Sequence, residues 1–352
     1  MNKKVHDKVK VGISVGDLNG IGIEIILKTL EDNRINELFT PIVFGTKSIF
    51  QHYAKSMNLN PINWNVIDSM DQVKPNQSNL FTSWESNIEI KEGEESIESG
   101  KYAFKSLEKA SSFLKTGEID ALVTAPINKK AIQSSDFEFP GHTEYLEHLD
   151  GADGSLMLMM SDSAKIGVVT GHIPLSEVKT KLTTDEILKK LTILNKSLKE
   201  DFGIRKPKIA IMGVNPHAGD NGLLGKEEQE IISPAINQAK TINILAFGPF
   251  AADGFFGSST YTKYDGILAM YHDQGLIPAK SFSFGHGVNY TAGLSFVRTS
   301  PDHGTAFDIA GKGEANENSF RTAIYTAIEI VKNRGQLAEL EEGALKVNKS
   351  RN

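Results

Sequence analysis

Short apolar runs that alternate with helical segments constrain this chain more than any other feature. Residues 9–15, 41–45, 119–123, 156–160, 165–170, 208–213, 243–247 and 266–270 read as buried strands. Between them lie segments with apolar residues at helical spacing. One begins near residue 23, and another spans 101–115 with Tyr102, Ala103, Leu107, Ala110 and Leu114 on one face. A long amphipathic helix is predicted over 183–202, N-capped by Thr183 or Thr184, with others over 226–239 and 318–332. Strand and helix in strict turn predict an α/β fold with a mostly parallel sheet. At 352 residues the chain has room for two domains or one large α/β unit.

In such a sheet, ligands gather at the carboxyl ends of the strands. The stretch 265–308 is built that way. A buried strand runs into Tyr271-His272-Asp273-Gln274-Gly275, and glycine-rich loop and short strand then carry Lys280, Asn289 and Arg298, followed by Asp302-His303-Gly304-Thr305. Cations, an amide and imidazoles among glycines suit an anionic, oxygen-rich small molecule with a second ligand beside it. His142, Lys280, Asn289 and Arg298 read as its anchors as a set, although for any one of them alone a surface ion pair is the more common role.

Three histidines share one context. His172, His217 and His272 each follow an apolar strand and stand beside glycine, proline or aspartate. Neighbouring parallel strands bring such ends to one edge, where three imidazoles leave positions open on a Lewis-acid metal. A lone histidine at a strand end is more often a hydrogen-bonded core or loop residue, and it is the matched context of all three that favours a metal. Asp253 and Asp273 fit either a base or a partner that orients a ligating histidine. The chain has no cysteine, which excludes disulfides, thiolate-held zinc, iron–sulfur clusters and a thiol nucleophile. Any metal is therefore held by His, Asp or Glu. His6, His52 and His148 lie in ordinary surface contexts.

Other features narrow the class by exclusion. With 38 basic and 44 acidic residues the net charge is −6, and no basic field exists to hold nucleic acid. The N-terminal MNKKVHDKVKVG lacks the apolar core and cleavage site of a signal peptide, and no apolar run reaches membrane-spanning length. A cytoplasmic protein with no membrane partner is expected. The turn Gly16-Asp17-Leu18-Asn19-Gly20-Ile21-Gly22 matches neither a dinucleotide fingerprint nor a P-loop, so a tight structural turn and a ligand contact both remain open. Residues 60–100 are weakly patterned, and 91–100 (KEGEESIESG) reads as a solvated connection. The charged tail from Leu340 is expected to fray.

The blocks GDLNGIGIE, TAPINK, GHTEYL, GHIPL, NPHAGDNGLLGKEE, YHDQGLIPAK, VNYTAGL and RTSPDHGTAFDIAGKG span nearly the whole chain in this order. In them the sequence resembles the family of 4-hydroxythreonine-4-phosphate dehydrogenases, NAD-dependent oxidoreductases of pyridoxal 5′-phosphate biosynthesis. The resemblance implies two α/β/α domains with a cleft between them, as in isocitrate and isopropylmalate dehydrogenases. One domain comprises 1–130 plus about 290–352, with both termini and the cofactor loop; the other, about 131–289, contributes the metal site and dimer interface. It further implies a homodimer with the active site at the subunit interface. By the same resemblance, His172, His217 and His272, drawn from both subunits, are expected to hold one divalent metal (Zn, Co, Mn or Mg). His142, Thr143, Lys280, Asn289 and Arg298 are expected to contact substrate, and His303, Gly304, Thr305 and Asn316 to bind NAD without a GxGxxG turn.

The implied reaction is oxidation and decarboxylation of 4-hydroxythreonine 4-phosphate to 3-amino-2-oxopropyl phosphate, with Asp253 and Lys280 as candidate catalytic bases. The chain departs from the family's usual Gly-Glu/Asp-Pro-Ala-Gly-Ile-Gly-Pro-Glu pattern at Leu18-Asn19 and Ile23, and Ser258-Ser259-Thr260-Tyr261 lies in a variable region. Fine substrate preference therefore stays open. Competing readings are a dehydrogenase of threonate or erythronate phosphate, a phosphate acyltransferase of the same architecture, and a binding protein without turnover.

Overall fold

A computed structural model of the chain describes residues 8–85, 88–134 and 136–343. The first part places β1 (Lys10–Ser14), α1 (Gly22–Leu30), β2 (Thr40–Gly45), α2 (Lys47–Ser56), β3 (Asn65–Ile67), β4 (Asn79–Thr82), α3 (Ile97–Lys115) and β5 (Ala121–Thr124) in turn. The middle runs α4 (His142–Asp150), β6 (Leu156–Met160), β7 (Lys165–Thr170), α5 (Leu175–Lys181), α6 (Thr184–Glu200), β8 (Lys208–Met212), α7 (Ser233–Thr241), β9 (Leu245–Phe250) and α8 (Ala252–Phe256). The last part holds β10 (Gly266–Tyr271), α9 (His272–Ser283), β11 (Val288–Ala292), β12 (Val297–Pro301) and α10 (Asn318–Gly343).

All twelve strands join one sheet in the order β3-β4-β2-β1-β5-β12-β11-β6-β7-β10-β8-β9. Pairing is parallel throughout except around β11 and β6. The strand β11 runs antiparallel to both β12 and β6, and β6 runs antiparallel to β7. The parallel strands β7, β10 and β8 are therefore adjacent and point opposite to β1, β5 and β12. Neighbouring strands twist by roughly 20–25°, so the four steps from β5 to β7 turn the two halves of the sheet strongly against each other.

Alternate residues of the central strands feed separate cores. Val43, Ala121 and Val123 pack with α1 and α10 on one face, while Ile42, Phe44 and Leu122 pack with α3 on the other. Burial on both faces explains why these runs are continuously apolar. A third cluster joins Ile166, Val168 and Ala269 to Leu276 and Ala279 of α9.

Four expectations are corrected. Residues 272–283 form a helix rather than glycine-rich loop, with Gly275 and Pro278 inside it. Gly275 is there for packing: a Cβ would lie 2.7 Å from Val168 Cγ1. Likewise 91–100 is not simply solvated. Ser96 caps α3, and Ser99 and Gly100 are buried at its start. The weakly patterned stretch before it contains β3 and β4, an edge pair too short to show alternation. Helix α10 continues past 332 to Gly343, and the rest of the tail, like His6, lies outside the described residues.

Candidate active site

A cavity of about 300 Å³ opens between the two halves of the sheet. Residues after β5 supply Lys129, and the first turn of α4 supplies His142, Thr143 and Glu144. His172 and His272 enter at the ends of β7 and β10, Lys280 from α9, Asn289 from β11, Arg298 from β12, and His303 and Gly304 from the loop beyond. The five expected substrate anchors thus share one cavity with two of the three expected metal ligands. Thr124, Lys129, Glu144 and Met159 also line it, beyond the residues expected to contact a ligand. Lys129 carried a readable signal, since it ends the polar patch that follows an apolar strand.

Arg298 dominates the electrostatics. The residue is 2 % exposed. Its guanidinium donates to Thr124 Oγ1 at 2.6 and 3.2 Å and to Thr291 Oγ1 at 3.2 Å. Among the described residues it pairs with no carboxylate. Desolvation pulls its pKa down to about 10, against a smaller opposing effect of Glu144. A buried cation satisfied only by hydroxyls is a preformed anion site. The His142 imidazole is held well below its ordinary pKa, first by burial and then by Arg298 and Lys129, so it is neutral at pH 7. His142 Nε2, Asn289 Oδ1 and His303 Nε2 are buried without a hydrogen-bond partner among the described residues. Three such atoms around one cavity are what a polar ligand would satisfy.

The His172 and His272 rings stand 5.3 Å apart, centroid to centroid. His272 Nδ1 meets Asp273 Oδ1 at 2.7 Å, a contact that orients the ring. Burial lowers the His172 pKa, with Lys129 and His272 adding to it, so this ring too favours the neutral form that binds metals. His217 is elsewhere. With Asp253 and Asp273 it lines a second cavity of about 700 Å³ beside α8 and α9. Among the described residues, no three His, Asp or Glu side chains of this chain converge for a metal. His217 sits in a left-handed turn in which His217, Ala218, Asp220 and Asn221 all have φ between 40° and 56°. The buried Glu228 fastens its approach by accepting from Val214 N and Asn215 N. Asp253 and Lys280 accordingly line different cavities within one chain.

The loop after β12 holds His303 and Gly304 at the cavity. Thr305 and Asn316 fall outside its lining; Thr305 O accepts from Ile21 N, and Asn316 Oδ1 accepts from Asn318 N. The 16–22 turn is buried throughout. It is a structural turn, since Asp17 bonds Ser99 and Gly20 packs on Thr305.

The chain is similar to known proteins in sequence and in fold. The family model described as "Pyridoxal phosphate biosynthetic protein PdxA" matches residues 37–327. A Bacteroides thetaiotaomicron protein named 4-hydroxythreonine-4-phosphate dehydrogenase is 48% identical over 330 residues, 94% of this chain and 90% of that protein. An Oceanobacillus iheyensis protein provisionally named as a D-threonate 4-phosphate dehydrogenase is 38% identical, covering 91% of this chain and 97% of its own. The crystal structure of a 4-hydroxythreonine-4-phosphate dehydrogenase from Klebsiella pneumoniae superposes with a TM-score of 0.81 at 33% identity, covering 94% of this chain and 100% of that one. The chain belongs to the PdxA family of pyridoxal phosphate biosynthetic proteins.

Proposed function

We propose that this protein oxidises and decarboxylates 4-hydroxythreonine 4-phosphate to 3-amino-2-oxopropyl phosphate, with NAD as hydride acceptor and one divalent metal per site. The observation that carries this reading is the meeting of a buried, carboxylate-free Arg298 with the paired imidazoles of His172 and His272 in one cavity. An anion clamp beside a Lewis-acid site is what a phosphorylated hydroxy acid requires.

Arg298, Lys280 and His142 hold the anionic ends of the substrate, and Asn289 Oδ1 accepts from a hydroxyl or ammonium. This fixes the reacting carbon before chemistry begins. His172 and His272 fit a metal in donor type and protonation; the third ligand, His217, would come from a second copy in a homodimer. That places Asp253 near the site formed by its partner, so Asp253 and Lys280 both remain candidates for the base that takes the hydroxyl proton. Thr143, at the start of α4, lines the substrate end. His303, Gly304, Thr305 and Asn316 form the cofactor side. The unpartnered His303 Nε2 and the open space where a Gly304 Cβ would stand suit a ligand lying close to the backbone. The chemistry these groups would supply when bound is Lewis acidity at the substrate hydroxyl from the metal and hydride acceptance from NAD. We read the lobes 1–130 with 290–352 and 131–289 as the two sides of the cleft, and the protein as cytoplasmic. Among the described residues no helix is long and apolar enough to cross a membrane.

The test is absorbance of reduced nicotinamide with NAD, a divalent metal and 4-hydroxythreonine 4-phosphate, with and without chelator. Chelator-sensitive NADH formation is expected. Turnover of threonate 4-phosphate alone would keep the reaction and change the substrate. Acyl transfer to phosphate without NAD reduction would replace the proposal with the transferase reading.

A further inference from the structure

The loop 303–315 contains turns but no helix or strand, so its shape depends on what it is bonded to. Much of that bonding comes from one short piece of chain, residues 20–28. Ile21 N–H donates to Thr305 O at 3.0 Å. Gly20 approaches so closely that a Cβ would lie 2.9 Å from the same oxygen. One turn further on, Glu24 Oε1 accepts from Ala315 N at 2.7 Å, and Lys28 Nζ donates to Gly313 O at 2.8 Å and Ala315 O at 2.6 Å. Glu24 and Lys28 also pair with each other at 2.8 Å, the carboxylate fully buried and the lysine side chain 18% exposed.

A buried ion pair is a poor way to stabilise a fold, because apolar residues of similar size often do as well. This pair directs its hydrogen bonds at backbone groups of the loop that carries His303 and Gly304, and neither residue lines the cavity. We propose that Glu24 and Lys28 are positioning residues for the nicotinamide cofactor: they clamp the far end of the 303–315 loop so that its near end is ready to bind. The proposal rests on the reading that this loop holds NAD.

The double variant Glu24→Gln/Lys28→Met removes both charges together and keeps an acceptor for the Ala315 amide, which protects the fold. It should raise KM and Kd for NAD about tenfold, with kcat and KM for the phosphorylated substrate within about twofold of wild type. Amide exchange in 303–315 should quicken. Lys28→Arg, which keeps the donors, should recover most of the NAD affinity. His303→Ala, measured alongside, separates the two claims. If His303→Ala weakens NAD binding but the double variant does not, the clamp is wrong and the cofactor reading stands. If His303→Ala binds NAD as wild type does, the cofactor reading falls and the clamp with it. Equal losses in both substrate constants, following a fall in Tm, would reduce Glu24 and Lys28 to a structural role and overturn the proposal.

Discussion

Arg298 is anchored to Thr124: its Nη2 and Nε reach the same Thr124 Oγ1 at 2.6 and 3.2 Å. The hydroxyl fixes the guanidinium without neutralising it, leaving a buried charge without an anionic partner in the described chain. Such a group costs stability and is retained for what it binds.

Arg298→Met should therefore separate the two effects. kcat/KM for the phosphorylated substrate should fall on the order of 100-fold or more, while urea unfolding shows stability equal to or above wild type. A variant that loses stability in step with activity would mean that Arg298 is mainly structural.

His142 makes stability depend on pH. Its folded pKa lies well below the 6.5 of the unfolded chain, chiefly through burial. The unfolded state therefore takes up a proton that the folded state refuses. The contribution is complete above 6.5 and is lost as pH falls, by up to about 1.4 kcal/mol per pH unit. His142→Gln should flatten the pH dependence of the urea midpoint between about pH 5 and 7. An unchanged slope would show that the ring protonates freely in the folded protein.

The turn carrying His217 stores strain. Ala218 has φ 51° and ψ 42°, a conformation costing a non-glycine residue about 1–2 kcal/mol. Glycine there removes that cost but adds about 0.4–1 kcal/mol of entropy to the unfolded chain. Ala218→Gly should thus stabilise the protein by about 0.5–1 kcal/mol in urea unfolding. Destabilisation would show that the alanine methyl contributes more by packing than its backbone costs.

Helix α9 has the opposite requirement. At Gly275 a methyl group would meet Val168 Cγ1 at 2.7 Å and Ala269 Cβ at 3.1 Å. The helix-propensity gain of about 1 kcal/mol from alanine is outweighed by overpacking worth about 1–3 kcal/mol. Gly275→Ala should lower Tm and, by lifting α9 off the sheet, weaken substrate binding through Lys280. A rise in Tm would mean that the helix can shift freely.

Much of this was legible in the sequence because strand ends carry local signals. The apolar runs before His172 and His272 predicted where both imidazoles would emerge, and the strand order β7-β10-β8 made their approach possible. Residue chemistry alone marked His142, Lys280, Asn289 and Arg298 as anchors, the block resemblance added Thr143, and all five line one cavity. What local pattern could not show was tertiary need. The stretch around Gly275 looked like glycine-rich loop because the reason for Gly275 is a side chain of Val168, over a hundred positions away in sequence. Ser99, in a run that reads as solvated acid, is buried because Asp17 needs its hydroxyl. His217 shares the context of the other two histidines, yet spacing gave no hint that it stands at a different cavity of the same chain.

That separation gives the sharpest test of the proposed metal centre. His172→Ala and His217→Ala chains should each be inactive and bind little metal. In a hybrid dimer of the two, one site keeps His172 and His272 from one chain and His217 from the other. Mixed and allowed to exchange, the two inactive proteins should recover about a quarter of wild-type, chelator-sensitive NADH formation, since half the dimers are hybrids with one intact site each. No recovery in a sample shown to contain hybrid dimers would contradict a centre shared by the three histidines across two subunits.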